Sequence, residues 1–143
     1  MIEDEVRDNP TGWVSAHIRR YLASDGDNGH DYNGFPTLLI TTRGRKTGTA
    51  RRTALIYGRD DDRYVVVASN GAAVRNPNWY LNLVADPEVR VQVRADRFTA
   101  RARVADPAER PRLWQLMAGI FPMYETYATK APRQIPVVLL ERS

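Results

Sequence analysis

A chain of 143 residues with 43% hydrophobic and 27% charged residues has the length and composition of one soluble globular domain. It has no cysteine and only two histidines, which excludes disulfides, thiolate nucleophiles and cysteine-ligated metals and leaves no histidine-based zinc spacing. The net charge of +4 is carried almost entirely by arginine and favours an anionic partner. Because no membrane-spanning run or secretory leader is predicted, we expect a cytoplasmic protein without metal.

The first predicted element is a short amphipathic helix over residues 10–23. Its apolar side carries Trp13, Ile18, Tyr21 and Leu22. Arg19 and Arg20 fall opposite, so the helix is interpreted either as core packing or as a membrane contact through Trp13 and Tyr21. Residues 24–34 are almost all turn formers and predict a mobile linker. Residues 1–34 are therefore assigned as an N-terminal helix and linker, and residues 35–143 as the main domain.

Strand and helix patterns alternate from Phe35 onward. Strands are predicted at 36–43, 51–59, 63–69, 89–95, 97–105 and 135–142. Helices are predicted over 76–87 and 106–122, the second with Asp106 as N-cap and Pro107 as first helical residue. This order predicts an α+β domain whose mainly antiparallel sheet of about six strands curls into a barrel, so that its edges are covered.

The segment RGRKTGTARR, residues 43–52, is the most cationic part of the chain. Gly44 and Gly48 allow backbone amides to face an anion, and Arg51 and Arg52 follow at the start of a strand. A basic hairpin tip of this kind is commonly only a solvated turn. The order of a phosphate-binding P-loop is absent.

A second segment, residues 68–83, leaves a buried strand through small residues and enters a helix. Such a turn is suited to phosphate or carboxylate, and Arg75 adds a cation. An ordinary loop capped by Asn76 is the alternative. Two loops of this character in one small domain predict a shared anion-binding cleft.

The two segments and the strands between them resemble the deazaflavin-dependent nitroreductase family, whose members bind coenzyme F420. The matching motifs are Gly44–Gly48 (GRKTG), Arg52 and Thr53 with Tyr57, Val66–Ser69 (VVAS) and Asn76–Leu83 (NPNWYLNL). The resemblance covers residues 35–143 and implies a split β-barrel related to flavin-reductase-like barrels.

The resemblance also implies a set of coenzyme-binding residues: Lys46, Thr47, Arg51, Arg52, Thr53, Ala54, Tyr57, Ser69, Asn70, Gly71, Ala72, Asn76, Pro77 and Trp79. Lys46, Arg51 and Arg52 would hold the phosphate and acidic tail, because a planar guanidinium suits such groups. Residues 69–72 would contact the coenzyme through backbone amides. Asn70 stands where many members have Lys, and Ala72 where many have Gly, which removes one phosphate contact.

The resemblance predicts an F420H2-dependent oxidoreductase that transfers hydride to a flat apolar acceptor, a quinone or a nitroaromatic. The candidate substrate-binding residues are Phe121, Met123, Tyr124 and Tyr127. Tyr124 or Tyr127 is the candidate catalytic group, donating a hydrogen bond or proton to the reduced oxygen of the substrate. Simple packing of these aromatic rings is the alternative.

Three other functions stay open at this stage. One is a split-barrel protein that binds FMN, and another is an F420 carrier or sensor without turnover. The third is a nucleic-acid-binding protein that uses the arginines of the predicted hairpin, Arg90, Arg94, Arg97, Arg101 and Arg103. Base-stacking aromatics are not interleaved with these arginines, so no nucleic-acid partner is expected. The sequence leaves a homodimer open.

Overall fold

The computed structural model describes residues 5–143 as an α+β protein. The described chain runs through β1 (Val6–Asp8), α1 (Gly12–Ala23), β2 (Asp31–Tyr32), β3 (Phe35–Arg43), β4 (Ala50–Ile56), β5 (Gly58–Asp60), β6 (Arg63–Val67), α2 (Asn78–Ala85), β7 (Glu88–Val93), β8 (Asp96–Val104), α3 (Arg110–Ile120), α4 (Met123–Lys130) and β9 (Val137–Arg142). A single short 3-10 turn, Asn70–Ala72, lies between β6 and α2.

All nine described strands belong to one sheet in the order β1-β4-β3-β7-β8-β9-β6-β5, with β2 paired to β3. Only the β1–β4 pair is parallel, so the mainly antiparallel α+β prediction is confirmed. The prediction of about six strands is wrong, because β1 and β2 arise before residue 35 and residues 51–59 divide into β4 and β5. The path stays open across residues 5–143, so the predicted barrel closure does not cover the edges β1 and β5.

Alternation along the strands distributes the apolar side chains over three packed clusters. Leu38 and Ile40 of β3 face a cluster shared with β6 to β9, whereas Leu39 between them faces α1. Strand β9 is buried on both faces, since Val138 joins the first cluster and Leu139 packs beneath α3 and α4. Burial on both faces explains why this strand reads as a continuous apolar run.

Helix α1 packs on the sheet through Ile18 and Tyr21, which are fully buried. Trp13 was predicted on the same side but is 60% exposed, because its ring stacks on Tyr32 at 5.6 Å between centroids, outside the core. The membrane-contact surface predicted from Trp13 and Tyr21 therefore does not form. No helix in residues 5–143 is long and apolar enough to cross a bilayer.

Residues 24–34 make several contacts with the rest of the protein. His17 of α1 lies 2.6 Å from the carbonyl of Gly29 through its Nε2 atom. Gly26 has φ +83°, and a Cβ there would come within 2.5 Å of the Arg94 backbone, so only glycine fits. With β2 paired to β3, these contacts connect the segment to both α1 and the sheet.

The predicted helix 106–122 is shorter than expected and is followed by a second helix. Asp106 Oδ1 accepts hydrogen bonds of 3.0 Å from the amides of Ala108 and Glu109, which closes a turn before α3 begins at Arg110. Asp106 is therefore the cap of that turn and not the helix N-cap predicted from Pro107. The helical conformation of α3 ends before Phe121, and a separate helix, α4, carries Tyr124 and Tyr127.

Glu109 is expected to make folding stability pH-dependent. Its carboxylate accepts a 2.5 Å hydrogen bond from Arg103 and one of 2.9 Å from the Asp106 amide, and these lower the pKa of Glu109 from 4.5 to about 2. A lowered native pKa gives stability that is complete above about pH 4.5 and is lost as the pH falls toward about 2.

We therefore expect Glu109→Gln to lower the urea midpoint at pH 6, and the gap to the unmodified protein to shrink between pH 4.5 and 2. Glu5→Gln, at an exposed position, is the matched control and should leave that gap near zero throughout. A gap for Glu109→Gln that does not change with pH would contradict the assignment.

Candidate functional site

A basic cleft of about 710 Å³ opens between the end of β1, the basic loop (residues 43–52), the loop that follows β6, and the start of α2. Its cationic side chains are Arg7, Arg45, Lys46, Arg51, Arg52 and Arg75, whereas Asp8 is its one carboxylate among the described lining residues. Such an excess of positive charge in a concave site attracts and holds anions.

The cleft brings together nine of the fourteen predicted coenzyme residues: Lys46, Thr47, Arg51, Arg52, Thr53, Asn70, Asn76, Pro77 and Trp79. The lining residues that the sequence did not point to are Arg7, Asp8, Asn9, Pro10 and Thr42. Four of those five come from β1 and the residues just after it. Residues 1–10 are rich in acidic side chains, so the sequence did not suggest that they contribute to an anion-binding site.

Five predicted residues do not line the basic cleft. Ala54 packs under α1, on the opposite face of β4 from Leu55, as strand alternation requires. Tyr57 is buried beyond the end of β4, with its hydroxyl 2.7 Å from His30 Nε2. Ser69, Gly71 and Ala72 are in the loop beside the cleft, where only Asn70 of that stretch reaches it.

The basic loop is held against α2 by Asn82, which is 4% exposed. Asn82 Oδ1 accepts hydrogen bonds from the Arg45 amide at 3.2 Å and from Arg45 Nη1 at 2.9 Å. Its Nδ2 donates to Thr42 Oγ1 at 3.2 Å. Arg45 is thus engaged in positioning the loop, and Lys46 and Thr47 stay exposed toward the cleft.

We name residues 68–76 the Asn70 loop. Asn70, Gly71 and Ala72 have φ values of +49°, +59° and +68°, all in the left-handed region that disfavours side chains other than glycine and asparagine. The Ala72 amide donates to the Ser69 carbonyl at 3.0 Å, so it is engaged inside the turn. The predicted amide contact of Ala72 with an anion stays a prediction, and it would have to share this amide with the Ser69 carbonyl. Strained backbone of this kind clusters at ligand sites.

Ala72→Gly is expected to raise the free energy of unfolding by about 0.5–1 kcal/mol, because glycine adopts positive φ without the steric cost that alanine carries. The measurement is the urea midpoint. Ala73, the next residue, has φ −61° and gives a matched control. Ala73→Gly should lower stability by a similar amount through the greater entropy of the unfolded chain. A loss of stability in both variants would show that Ala72 is unstrained.

Arg52 is a partly buried cation of the basic cleft. Its side chain is 21% exposed, and its Nε lies 2.6 Å from Asp8 Oδ1. Asn9 also binds β4, with its amide donating to the Arg52 carbonyl at 2.8 Å. Arg52 lines a second cleft of about 460 Å³ on the outer sheet face, together with Arg90 and Arg97. Arg52 is thus a lining residue that the two clefts share.

The aromatic residues predicted for substrate form a cluster outside the basic cleft. Phe121 packs edge-on against Tyr124 at 4.9 Å between ring centroids, and Tyr127 lies 6.3 Å from Phe121. Tyr124 is 5% exposed, and burial raises the pKa of its hydroxyl, which keeps it protonated at neutral pH. Tyr127 is half-buried and Met123 is 45% exposed. Helix α4 contacts the Asn70–Ala72 turn, so the cluster is adjacent to the Asn70 loop.

Within residues 5–143 there is no group of three or more His, Asp or Glu side chains placed to hold a metal ion. The basic cleft instead offers guanidinium, ammonium, amide and hydroxyl groups, which are donors for phosphate and carboxylate oxygens. Its donor set therefore fits an organic polyanion.

Comparison with known proteins assigns the family. The family model described as F420H(2)-dependent quinone reductase matches residues 13–142, nearly the whole chain. The chain belongs to the F420H(2)-dependent quinone reductase family. The resemblance to F420-binding reductases predicted from the loop motifs is thereby confirmed.

The F420H(2)-dependent quinone reductase Rv1261c of Mycobacterium tuberculosis is 40% identical over 130 residues, which cover 88% of this chain and 87% of the relative. A solved structure named F420-H2 dependent reductase (FDR-A) is 36% identical, with a TM-score of 0.69 over 74% of this chain and 94% of that one. Another, described as a domain-swapped dimer, is 35% identical with a TM-score of 0.72, over 93% of this chain and 100% of that one. The family members thus share both sequence and fold with this chain.

Proposed function

We propose that this protein is an F420H2-dependent oxidoreductase that binds the coenzyme in the basic cleft and reduces a quinone, with nitroaromatics as alternative acceptors. Membership of the quinone reductase family supports this function. The observation that carries the site assignment is the convergence of Lys46, Arg52 and Asn70 on one cationic cleft.

The donor set of the cleft suits the phosphodiester and acidic tail of the coenzyme. Arg52 and Arg51 present planar guanidinium groups to anionic oxygens, and Lys46 adds an exposed ammonium group. Arg75 also lines the cleft and is the candidate to supply the cation that many family members carry as lysine at the position of Asn70. The bound coenzyme supplies hydride, and the protein supplies binding, orientation and exclusion of water.

On the acceptor side, we assign Phe121, Met123, Tyr124 and Tyr127 of the aromatic segment. Tyr124 is nearly inaccessible, so its contribution is to fix the position of α4 by packing. Tyr127 is half-buried and is the better placed of the two to donate a hydrogen bond to a reduced oxygen. Trp79 lines the cleft and gives the coenzyme an apolar wall.

We infer the type of barrel and the oligomeric state from the solved structures of relatives. We propose the split β-barrel of flavin-reductase-like type that the family resemblance implies, because this chain shares the fold of the solved F420-H2 dependent reductase with a TM-score of 0.69. A homodimer is proposed from the domain-swapped relative. We place the enzyme in the cytoplasm.

The decisive experiment is a titration of coenzyme F420 fluorescence with the purified protein, followed by addition of a soluble naphthoquinone or a nitroaromatic to the reduced complex. Binding with reoxidation is the expected result. Binding without reoxidation by any acceptor would indicate a carrier or sensor. A parallel titration with FMN tests the other alternative, since tight FMN binding without F420 binding would overturn the proposal.

A further inference from the structure

Arg133, in the connection between α4 and β9, donates four hydrogen bonds from its guanidinium group to the Asn70 loop. Its Nε donates to the Ala73 carbonyl at 3.1 Å, and its Nη2 donates to the Ser69 carbonyl at 2.8 Å. Its Nη1 donates both to the Ala68 carbonyl at 3.3 Å and to Asn76 Oδ1 at 2.5 Å. All four acceptors therefore belong to one loop of nine residues.

We propose that Arg133 is a positioning residue that holds the Asn70 loop in its coenzyme-binding conformation and couples it to the aromatic helix α4. Arg133 does not line the basic cleft, so it acts through Asn70 and Asn76, which do. The inference rests on the proposed function for its effect on coenzyme binding. Its effect on the loop itself is independent of that function.

The geometry explains why an arginine is required. The four acceptors surround the loop's left-handed turn, and the turn's own hydrogen bonds run from the Ala72 amide to Ser69 and from the Ala73 amide to Asn70. A fork of several N–H donors bonds these separated oxygens at once, whereas a lysine ammonium bonds them only from one point. Removing the fork takes the arginine donor from the partly buried Ala68 carbonyl and leaves the Ser69 carbonyl only the Ala72 amide of the two donors named here.

Chain connectivity provides the coupling to the aromatic segment. Helix α4 ends at Lys130, and the Ala131 amide closes its last turn on the Tyr127 carbonyl at 2.8 Å. Arg133 follows two residues later and reaches back to the loop that α4 also contacts. Arg133 therefore ties the segment after α4 to the Asn70 loop, in addition to the direct contact of α4 with that loop.

The test compares Arg133→Ala and Arg133→Lys with the unmodified protein in three measurements. Arg133→Ala should weaken coenzyme binding by roughly 10-fold or more, with loss of a charge-assisted hydrogen-bond set. Millimolar guanidinium should restore much of that affinity, and methylammonium should not. Arg133→Lys keeps the positive charge but should still bind the coenzyme more weakly than the unmodified protein does. Arg19→Ala, an exposed arginine on α1, is the matched control and should show neither loss nor rescue.

Hydrogen exchange of the Ala72 and Ala73 amides gives a readout that needs no coenzyme. Arg133→Ala should accelerate their exchange at least several-fold over the unmodified protein, while amides of the central strand β3 keep their protection. If the coenzyme fails to bind the unmodified protein, the proposed function fails and this measurement still tests the loop. If Arg133→Ala does not fold, coenzyme affinity and hydrogen exchange are both measured on Arg133→Lys.

Two results would overturn the inference. One is a folded Arg133→Ala protein with unchanged coenzyme affinity and unchanged exchange at Ala72 and Ala73. The other is a loss of affinity that guanidinium does not restore and that is accompanied by faster exchange throughout β3, because that pattern describes a general structural role.

Discussion

Replacing Arg52 with alanine is expected to weaken coenzyme F420 binding by about 10- to 100-fold. A hydrogen bond to a charged group contributes about 1.5–3 kcal/mol, and each 1.4 kcal/mol is a factor of ten in affinity. Arg52 lines the basic cleft with a side chain that is only 21% exposed, so its interaction with an anion is less screened by solvent than that of exposed Lys46. Fluorescence titration of the coenzyme measures the change.

The ion pair between Arg52 and Asp8 means that Arg52→Ala alone changes two charges of the site, one removed and one left unpaired by this partner. Removing Arg52 leaves the Asp8 carboxylate, 2.6 Å from Arg52 Nε in the structure, without this partner at the edge of an anion site. The double variant Arg52→Ala/Asp8→Asn removes the added repulsion and isolates the loss of the guanidinium. Asp8→Asn alone should bind the coenzyme at least as tightly as the unmodified protein, because the competing carboxylate is gone.

Arg101→Ala is the control for loss of one positive charge, since Arg101 is exposed on β8 and lines neither cleft. The coenzyme affinity of this variant should change by less than about twofold at physiological salt, because the charge of an exposed arginine outside the cleft is screened by solvent and ions. Unchanged affinity in both Arg52→Ala and the double variant would remove Arg52 from the phosphate site.

The sequence predicted the long strands well because their signal is local. The apolar run of β3 and the valine run of β6 mark strands whatever their partners are, and the bounds of both strands lie within two residues of the prediction. Strands β1 and β2 have three and two residues and exist only through pairing with β4 and β3. No periodicity can be read from segments so short, so the strand count was underestimated.

Most cations of the candidate site were predictable from the sequence, with Arg7 as the exception, whereas its backbone conformation was not. The loop motifs led to Lys46, Arg52 and Asn70, which the fold brings to one cleft. The left-handed conformation of Ala72 could not be foreseen, since alanine gives no signal for positive φ. Arg133 was also missed, because its role depends on carbonyls that are about 60 residues away in sequence.

Replacing Tyr21 with alanine is expected to lower the free energy of unfolding by about 3–5 kcal/mol, a large part of the 5–15 kcal/mol typical of a domain. The ring is fully buried between α1 and the sheet. Its hydroxyl donates to the Thr37 carbonyl at 3.0 Å and accepts from the Arg94 amide at 2.8 Å, so truncation leaves both a cavity and unpaired polar groups. Urea unfolding measures the loss.

Two further variants separate the contributions of the Tyr21 ring and hydroxyl to stability. They also test the predicted division of the chain at residue 34. Tyr21→Phe keeps the ring and removes the hydroxyl, so it should cost about 1–3 kcal/mol, the penalty of unpaired buried groups. Trp13→Ala, on the same helix but 60% exposed, should cost less than about 1 kcal/mol. If Tyr21→Ala is as mild as Trp13→Ala, α1 folds as a separate appendage. A large and cooperative loss instead means that residues 5–34 contribute structurally to the domain that carries the basic cleft, since Tyr21 fixes α1 and β1 supplies Asp8 to Arg52.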